Sequence, residues 1–420
     1  MDHSQRIDKW IEENRTTIIS FLQDLIRIPS ITGNEGPIQE FIAQELGEMG
    51  LDIDVFVPPL EELRKHPAFV EPPQDYEGRP NVVGTLKGDG GGKSLLLNGH
   101  VDVIPGGDPA SWVHGYWSGD VEDGKLYGRG ASDMKSGLAA MTMAVKAVVE
   151  SGIKLKGDVI LEYVVDEELT GNGTLACVMK GYNADAGICC ESSSMCVQPA
   201  SIGRMWFEIK VKGKAAGIQR RWEGVNAIDK GYLVTQIVAE FEKIRVARLS
   251  HPLYPNTLGA IPCMVGAMES GSYHSAFPDS CLLKGSIATL PGEDNAAVKA
   301  EFIEFLRDKV AGDPWLRDNP PEVVFTGYFA EPSEIPVNDS IVQTLCKTFT
   351  KILGTEPVIS GREGAADIRF MNSDNNTPTV IFGPGMTEQM HANNEWVKVE
   401  DLIRSTKVLA HTVLEWCETA

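Results

Sequence analysis

The sequence predicts an α/β protein in two parts: a doubly wound, mostly parallel sheet, and a smaller α+β unit inserted into it. Three observations carry this. At 420 residues the chain exceeds what one hydrophobic core usually supports. Four apolar runs, at 94–98, 158–165, 186–190 and 379–382, are short, continuous and rich in Leu, Ile and Val, as strands covered on both faces are. Between 201 and 329 the texture changes to the alternation of half-exposed antiparallel strands, as in Met205-Trp206-Phe207-Glu208-Ile209-Lys210-Val211.

The first fifty residues read as two helices. Ile18, Phe21, Leu22, Leu25 and Ile26 recur at helical spacing until Pro29 stops the run. A second helix begins at Pro37, a favourable first-turn position, buries Ile38, Phe41, Ile42 and Leu46, and ends at Gly50. Residues 51–57 alternate as a half-exposed strand, and the Pro-rich stretch 58–80 reads as a surface loop. Between the apolar runs lie helices such as 135–151, with Leu138, Met141, Val145 and Val148 on its inner face. The inserted unit reads as a strand at 205–213, a helix at 225–244, strands at 263–266 and 280–290, a helix at 296–310 and a strand at 322–327. A helix at 340–353 then returns the chain to the first sheet. The expected division is 1–200 with 330–420, and 201–329.

A net charge of -21 argues against nucleic acid, because phosphate binding needs a concentrated basic face. The start, Met1-Asp2-His3-Ser4-Gln5-Arg6, lacks an apolar signal core, and no run is long enough to span a bilayer. The expectation is a cytoplasmic protein without membrane contact. The eight cysteines show no Cys-x-x-Cys spacing and read as reduced, buried thiols.

Chemistry concentrates in six residues: His100, Asp133, Glu167, Glu168, Glu191 and His391. Most follow a predicted buried strand, and open α/β sheets place their sites at the carboxyl edge of the strands. In Gly99-His100-Val101-Asp102 the Asp can take one ring N–H and present the other nitrogen to a metal. Asp133 sits in the Gly-rich turn Gly128-Arg129-Gly130-Ala131-Ser132-Asp133 at a helix entrance, and is the expected bridge between two ions. In Asp166-Glu167-Glu168 one carboxylate can coordinate while its neighbour shuttles protons. Histidine and carboxylate donors without thiolates suit two divalent ions, zinc first, with cobalt or manganese as alternatives.

These residues identify a family. With Met134-Lys135 after the Asp133 turn and with Asn394-Glu395 after His391, the chain resembles the zinc-dependent aminoacylase / acetylornithine deacetylase / succinyl-diaminopimelate desuccinylase family of metallopeptidases. The family also includes carboxypeptidase G-type enzymes, and the resemblance covers nearly the whole chain. It implies that His100, Asp133 and Glu191 serve one ion, with Asp133 bridging to a second held by Glu168 and His391. It makes Glu167 the general base and acid, and Asp102 the partner of His100. It makes the doubly wound sheet the catalytic domain, and the inserted unit a lid that also mediates homodimerisation.

The chain departs from the family in the lid. Where relatives carry a histidine after two alanines, this chain has Gly217, so a donor to the substrate carbonyl is missing. Losing such a donor typically costs roughly 3–4 kcal/mol. Three explanations fit: a substrate that needs no such donor, replacement by Arg220, Arg221 or His274, or a deliberate His-to-Gly change. Arg362 either meets a substrate carboxylate or pairs with Glu363 or solvent. Asn226 either caps the lid helix or touches substrate. Of His114, His251 and His274, the last is the best candidate for substrate contact. Trp112, Tyr116 and Trp117 either line the pocket mouth or pack over the metal loop.

The expected function is metal-dependent amide hydrolysis that removes an N-acyl group from an amino acid or related small amine. The alternatives are a deformylase or hydrolytic deaminase of an aromatic or heterocyclic amine, and an impaired binder lacking the lid histidine.

Overall fold

The computed structural model describes residues 1–420, which divide into two compact units, 1–200 with 334–360 and 367–420, and 201–333 with 361–366. The second boundary thus falls four residues later than the sequence suggests, and a short segment around Arg362 joins the smaller unit.

The larger unit is built on a nine-stranded sheet. Its first six strands lie in the order Asp52–Phe56, Asn81–Leu86, Val159–Val164, Leu95–His100, Ala186–Cys189 and Thr379–Ile381. The last four of these are mutually parallel, and every residue in them is buried. That explains their unbroken apolar runs: both faces are covered, so no alternation is required. Helices Ser136–Glu150 and Val399–Cys417 pack against each other in this unit and bury Leu138, Met141, Val145, Leu402, Val408 and Leu409. Leu95–His100 lies between Val159–Val164 and Ala186–Cys189. The chain therefore leaves it toward one side and returns to the other, making its carboxyl end the point where strand order reverses, where open α/β sheets bind ligands.

Three expectations need correction. The first fifty residues form three helices, His3–Glu13, Arg15–Arg27 and Gly36–Glu48. The first buries only Ile7 and Ile11, too few to print a helical period, and is started by a capping box between Asp2 and Gln5. The strand Asn81–Leu86 is unforeseen. The stretch 58–80 is not simply a surface loop, because Leu63, Val70, Tyr76 and Arg79 are buried in it.

The smaller unit is a four-stranded antiparallel sheet in the order Cys263–Ser270, Ser280–Thr289, Gly203–Lys212, Glu322–Ala330. Helices Ala227–Arg248 and Asn295–Val310 bury Val234, Phe241, Val298 and Phe302 against Phe207, Ile209 and Leu283. The predicted strand-helix-strand-strand-helix-strand order is the one observed.

A candidate two-metal centre

Each candidate ligand is delivered by an element whose end the sequence forces. His100 closes the strand Leu95–His100 and is 2% exposed. Its Nδ1 lies 2.9 Å from the Asp102 backbone carbonyl and 3.5 Å from the Asp102 carboxylate. The carbonyl is thus the nearer partner of the ring, and either contact leaves Nε2 facing the site. The Asp102 carboxylate has other work. It accepts the backbone N–H groups of Glu167 and Glu168 at 3.1 and 3.2 Å and the Thr32 hydroxyl at 2.9 Å.

Asp133 lies in the short turn Ala131–Lys135, entered through Gly130 at φ +80°, a left-handed conformation that favours glycine. The following helix can approach because Gly137 has no side chain: a Cβ there would stand 1.8 Å from the Cys190 carbonyl oxygen. Glu395, wholly buried, clasps the turn. One carboxylate oxygen accepts the N–H groups of Ser132 and Asp133 at 2.7 and 2.9 Å. The other accepts Gly130 N–H at 3.0 Å and the Arg129 guanidinium at 2.8 Å.

Glu167 and Glu168 follow Asp166, whose φ of +65° turns the strand end sharply, so that neighbouring side chains need not alternate. Such a left-handed corner at a non-glycine residue costs roughly 1–3 kcal/mol and must be held by its surroundings. Glu191 lies two residues beyond Ala186–Cys189. His391, also left-handed at φ +60°, stands on an exposed loop and leaves one side of the cluster open.

The donor atoms form two groups that share Asp133: His100, Asp133 and Glu191, and Asp133, Glu168 and His391. His100 Nε2 stands 3.1 Å from Asp133 Oδ1 and 3.2 Å from Glu191 Oε1. His391 Nε2 stands 2.9 Å from Glu168 Oε2 and 3.4 Å from Asp133 Oδ2. A tetrahedral ion with bonds near 2.0–2.1 Å separates its ligands by about 3.3 Å, so these spacings fit a coordination sphere. The two oxygens of Asp133 face different histidines, as a bridging carboxylate's do.

The electrostatics agree. Burial pulls the His100 imidazole down, but Asp102, Asp133 and Glu191 outweigh it and hold it well above its ordinary value. Hydrogen bonding to Glu168 lifts His391 to about 9. Burial and the Asp133 charge push Glu168 up to about 7. Glu167 is raised by desolvation and by Asp367, Glu191 and Glu168, against the pull of His100. Carboxylates raised by burial and by one another, beside imidazoles that they raise in turn, form a cluster short of positive charge, which divalent cations can supply.

The remaining candidates have surroundings of their own. Asn226 caps the helix Ala227–Arg248 by accepting the Ile228 N–H at 3.1 Å. It shares a recess with the exposed His274, Ile228 and Tyr273 and the half-buried Phe277. Arg362 is 4% exposed, away from solvent, and its carbonyl accepts the Tyr254 hydroxyl at 3.2 Å. Gly217 has an ordinary φ of -68°, and a Cβ there would meet only Gln219 Oε1 at 3.6 Å, so the backbone does not require glycine. Trp112 and Trp117 face the two ends of the Asp133 turn, with the cations of Arg129 and Lys135 over their rings at 5.1 and 5.5 Å. His114 sits between Asp120 and Glu122. Sequence reasoning missed Thr32, Glu35, Tyr76 and Arg79, which have no motif of their own.

The profile of peptidase family M20/M25/M40 matches residues 96–415. Over 436 aligned residues, 98% of this chain and 97% of the relative, the chain is 31% identical to N-formyl-4-amino-5-aminomethyl-2-methylpyrimidine deformylase of Bacillus subtilis. It is 28% identical to succinyl-diaminopimelate desuccinylase of Methylorubrum populi, covering 91% of this chain and 94% of that one. Human carnosine dipeptidase 1 superposes with a TM-score of 0.77 at 16% identity, over 100% of this chain and 99% of the other.

Proposed function

The chain belongs to peptidase family M20/M25/M40 and is a metal-dependent hydrolase of amide bonds, and from that premise we propose that it removes a small N-acyl group from an amine, with N-formyl aminomethyl-heteroarenes the favoured substrate class. The observation that carries the hydrolytic reading is the pair of donor groups sharing Asp133. The formyl preference is supported by the near full-length likeness to the Bacillus subtilis deformylase, and the departure at Gly217, where the resemblance leads one to expect a donor to the substrate carbonyl, motivates a substrate other than the family's usual ones. N-acyl amino acids are the second reading, supported by the desuccinylase.

In this reading His100, Asp133 and Glu191 hold one divalent ion, and Asp133, Glu168 and His391 hold the other. Zinc is the first choice for imidazole and carboxylate donors, with cobalt and manganese next. The bound ions supply Lewis acidity, lowering the pKa of water toward about 7 and polarising the acyl oxygen. Glu167, left out of both donor groups, takes the proton of the attacking water. It then delivers that proton to the amine nitrogen as the C–N bond breaks. Asp102 fixes Glu167 and Glu168 through their backbone N–H groups while its own carbonyl orients His100.

The inserted unit serves as lid and homodimer surface. The cytoplasm suits the eight cysteine thiols, and the net charge of -21 disfavours nucleic acid. No helix is long and apolar enough to cross a membrane.

The test is a panel of N-formyl, N-acetyl and N-succinyl amines, including the formylated aminomethylpyrimidine, given to metal-loaded protein and to Glu167→Gln. The reading expects fastest turnover of the formyl substrate. It expects turnover to fall by roughly 10²–10⁴ in the variant, which retains its metal. Undiminished turnover in Glu167→Gln refutes its role, and turnover confined to succinyl or acetyl amino acids refutes the formyl preference.

A further inference from the structure

The carboxylate that moves the proton stands immediately after Asp166, and what holds Asp166 comes from a stretch the sequence presents as loop. The Asp166 carboxylate is wholly buried. Its Oδ2 accepts the Tyr76 hydroxyl at 2.6 Å and the Thr170 hydroxyl. Its Oδ1 lies 3.5 Å from the Arg79 guanidinium. Tyr76 is itself oriented, since its oxygen accepts Asn172 Nδ2 at 2.8 Å. Arg79 donates twice to Glu35, both at 2.7 Å, and once to the Asp75 carbonyl at 3.0 Å. Glu35 also accepts the Gly33 N–H at 3.0 Å, next to Thr32, whose hydroxyl reaches Asp102. Asp102 in turn holds the N–H groups of Glu167 and Glu168. The left-handed corner is thus gripped from both sides: at Asp166 by Tyr76 and Arg79, and at its next two peptides by Asp102.

We propose that Tyr76 and Arg79 are positioning residues for Glu167, and that the segment carrying them is a strap that fixes the proton-transfer carboxylate. The proposal rests on the reading of Glu167 as general base and acid. A buried ion pair alone would be weak evidence, because such pairs are often dispensable for stability. Here the pair and the phenol both converge on the one residue whose backbone sets where Glu167 points. Misplacing a reacting group by about 1 Å can cost about 10²-fold in rate, so loosening the corner acts on kcat while leaving substrate binding intact.

The experiment compares Tyr76→Phe and Arg79→Lys in the otherwise native chain and in the Glu167→Gln background. Metal-loaded full-length protein is used, with the fastest substrate of the panel above, and metal content is measured alongside. The expected result is a fall in kcat of roughly 10- to 100-fold, KM within about twofold, unchanged metal content, and no further loss in the Glu167→Gln background. Arg79→Lys, which keeps the charge and loses the forked contact, should retain more activity than Arg79→Ala. The strap is refuted if Tyr76→Phe and Arg79→Lys leave kcat within about threefold, or lower it equally in both backgrounds. Should Tyr76→Phe fail to fold, Arg79→Lys carries the same comparison. Full turnover in Glu167→Gln alone is a different result, which removes the base itself.

Discussion

Replacing Glu395 by glutamine should weaken metal binding although residue 395 touches no ion. The carboxylate has four close donors: Ser132 and Asp133 N–H on one oxygen at 2.7 and 2.9 Å, Gly130 N–H and Arg129 on the other at 3.0 and 2.8 Å. Glutamine keeps the shape but offers only one acceptor. If its NH₂ replaces the first oxygen, two buried N–H groups lose their partner; if it replaces the second, one N–H and a buried guanidinium do. At about 1–3 kcal/mol for each orphaned donor, either orientation costs roughly 2–6 kcal/mol. The variant should still fold if the native margin lies above about 6 kcal/mol, within the usual range of about 5–15 kcal/mol. The turn carrying Asp133 would relax, and Asp133 belongs to both donor groups. Loss of such a supporting contact typically costs about 10- to 100-fold in metal affinity. A competitive chelator titration measures the affinity, and urea unfolding of the metal-free protein measures the stability. If affinity stays within about twofold and stability within about 0.5 kcal/mol, Glu395 does not hold the turn.

Three further outcomes are expected. Metal removal by chelation should abolish turnover and lower stability, by about 2.7 kcal/mol for each ion relative to protein in metal at 100 times Kd, with both restored on metal addition; a chelated protein with native stability would speak against the cation site. Glu162, wholly buried with Asn98 Nδ2 at 3.0 Å, is pushed by burial from 4.5 up to about 8. Between those pH values the folded chain keeps a proton that the unfolded chain has released, so stability falls as pH rises, by up to about 1.4 kcal/mol per pH unit. Glu162→Gln should flatten that slope in chelated protein, and an unchanged slope between pH 5.5 and 8 would refute the assignment. Gly217→His should change stability by less than about 0.5 kcal/mol, since the backbone there is ordinary and open; a larger drop in urea midpoint would mean that the site needs glycine.

What the sequence discloses depends on how each element is buried. The four parallel strands are legible because both their faces are covered, which leaves runs such as Leu95-Leu96-Leu97 with no polar interruption. His3–Glu13 contributes two buried residues and leaves no period to read. Asn81–Leu86 opens on a buried Asn and is interrupted by Gly84, so neither alternation nor a continuous apolar run marks it. Between 58 and 80 the prolines suggest exposure, whereas Tyr76 and Arg79 are drawn inside by buried carboxylates that lie far away in sequence. Candidate ligands that follow strands are nominated by position, and their donor atoms lie within reach of one another. Supporting residues are defined only by pairwise geometry, which no spacing encodes.

The His-x-Asp motif shows why such support is hard to read locally. The two-residue spacing suggests that the Asp102 side chain serves the His100 ring, yet the nearer ring partner is the backbone carbonyl of that same residue. With the ring satisfied by main chain, the carboxylate reaches the end of the neighbouring strand and takes the two N–H groups of Glu167 and Glu168. One residue therefore ties the carboxyl ends of Leu95–His100 and Val159–Val164 together, and the candidate ligand His100 shares its support with Glu167, the proposed proton carrier. A change that tilts Asp102 must disturb both at once. Asp102→Asn, which keeps the backbone carbonyl but replaces one of the two carboxylate acceptors with a donor, should therefore lower turnover more than it lowers metal affinity. A proportionate loss of both would place the carboxylate's main role at the ring instead.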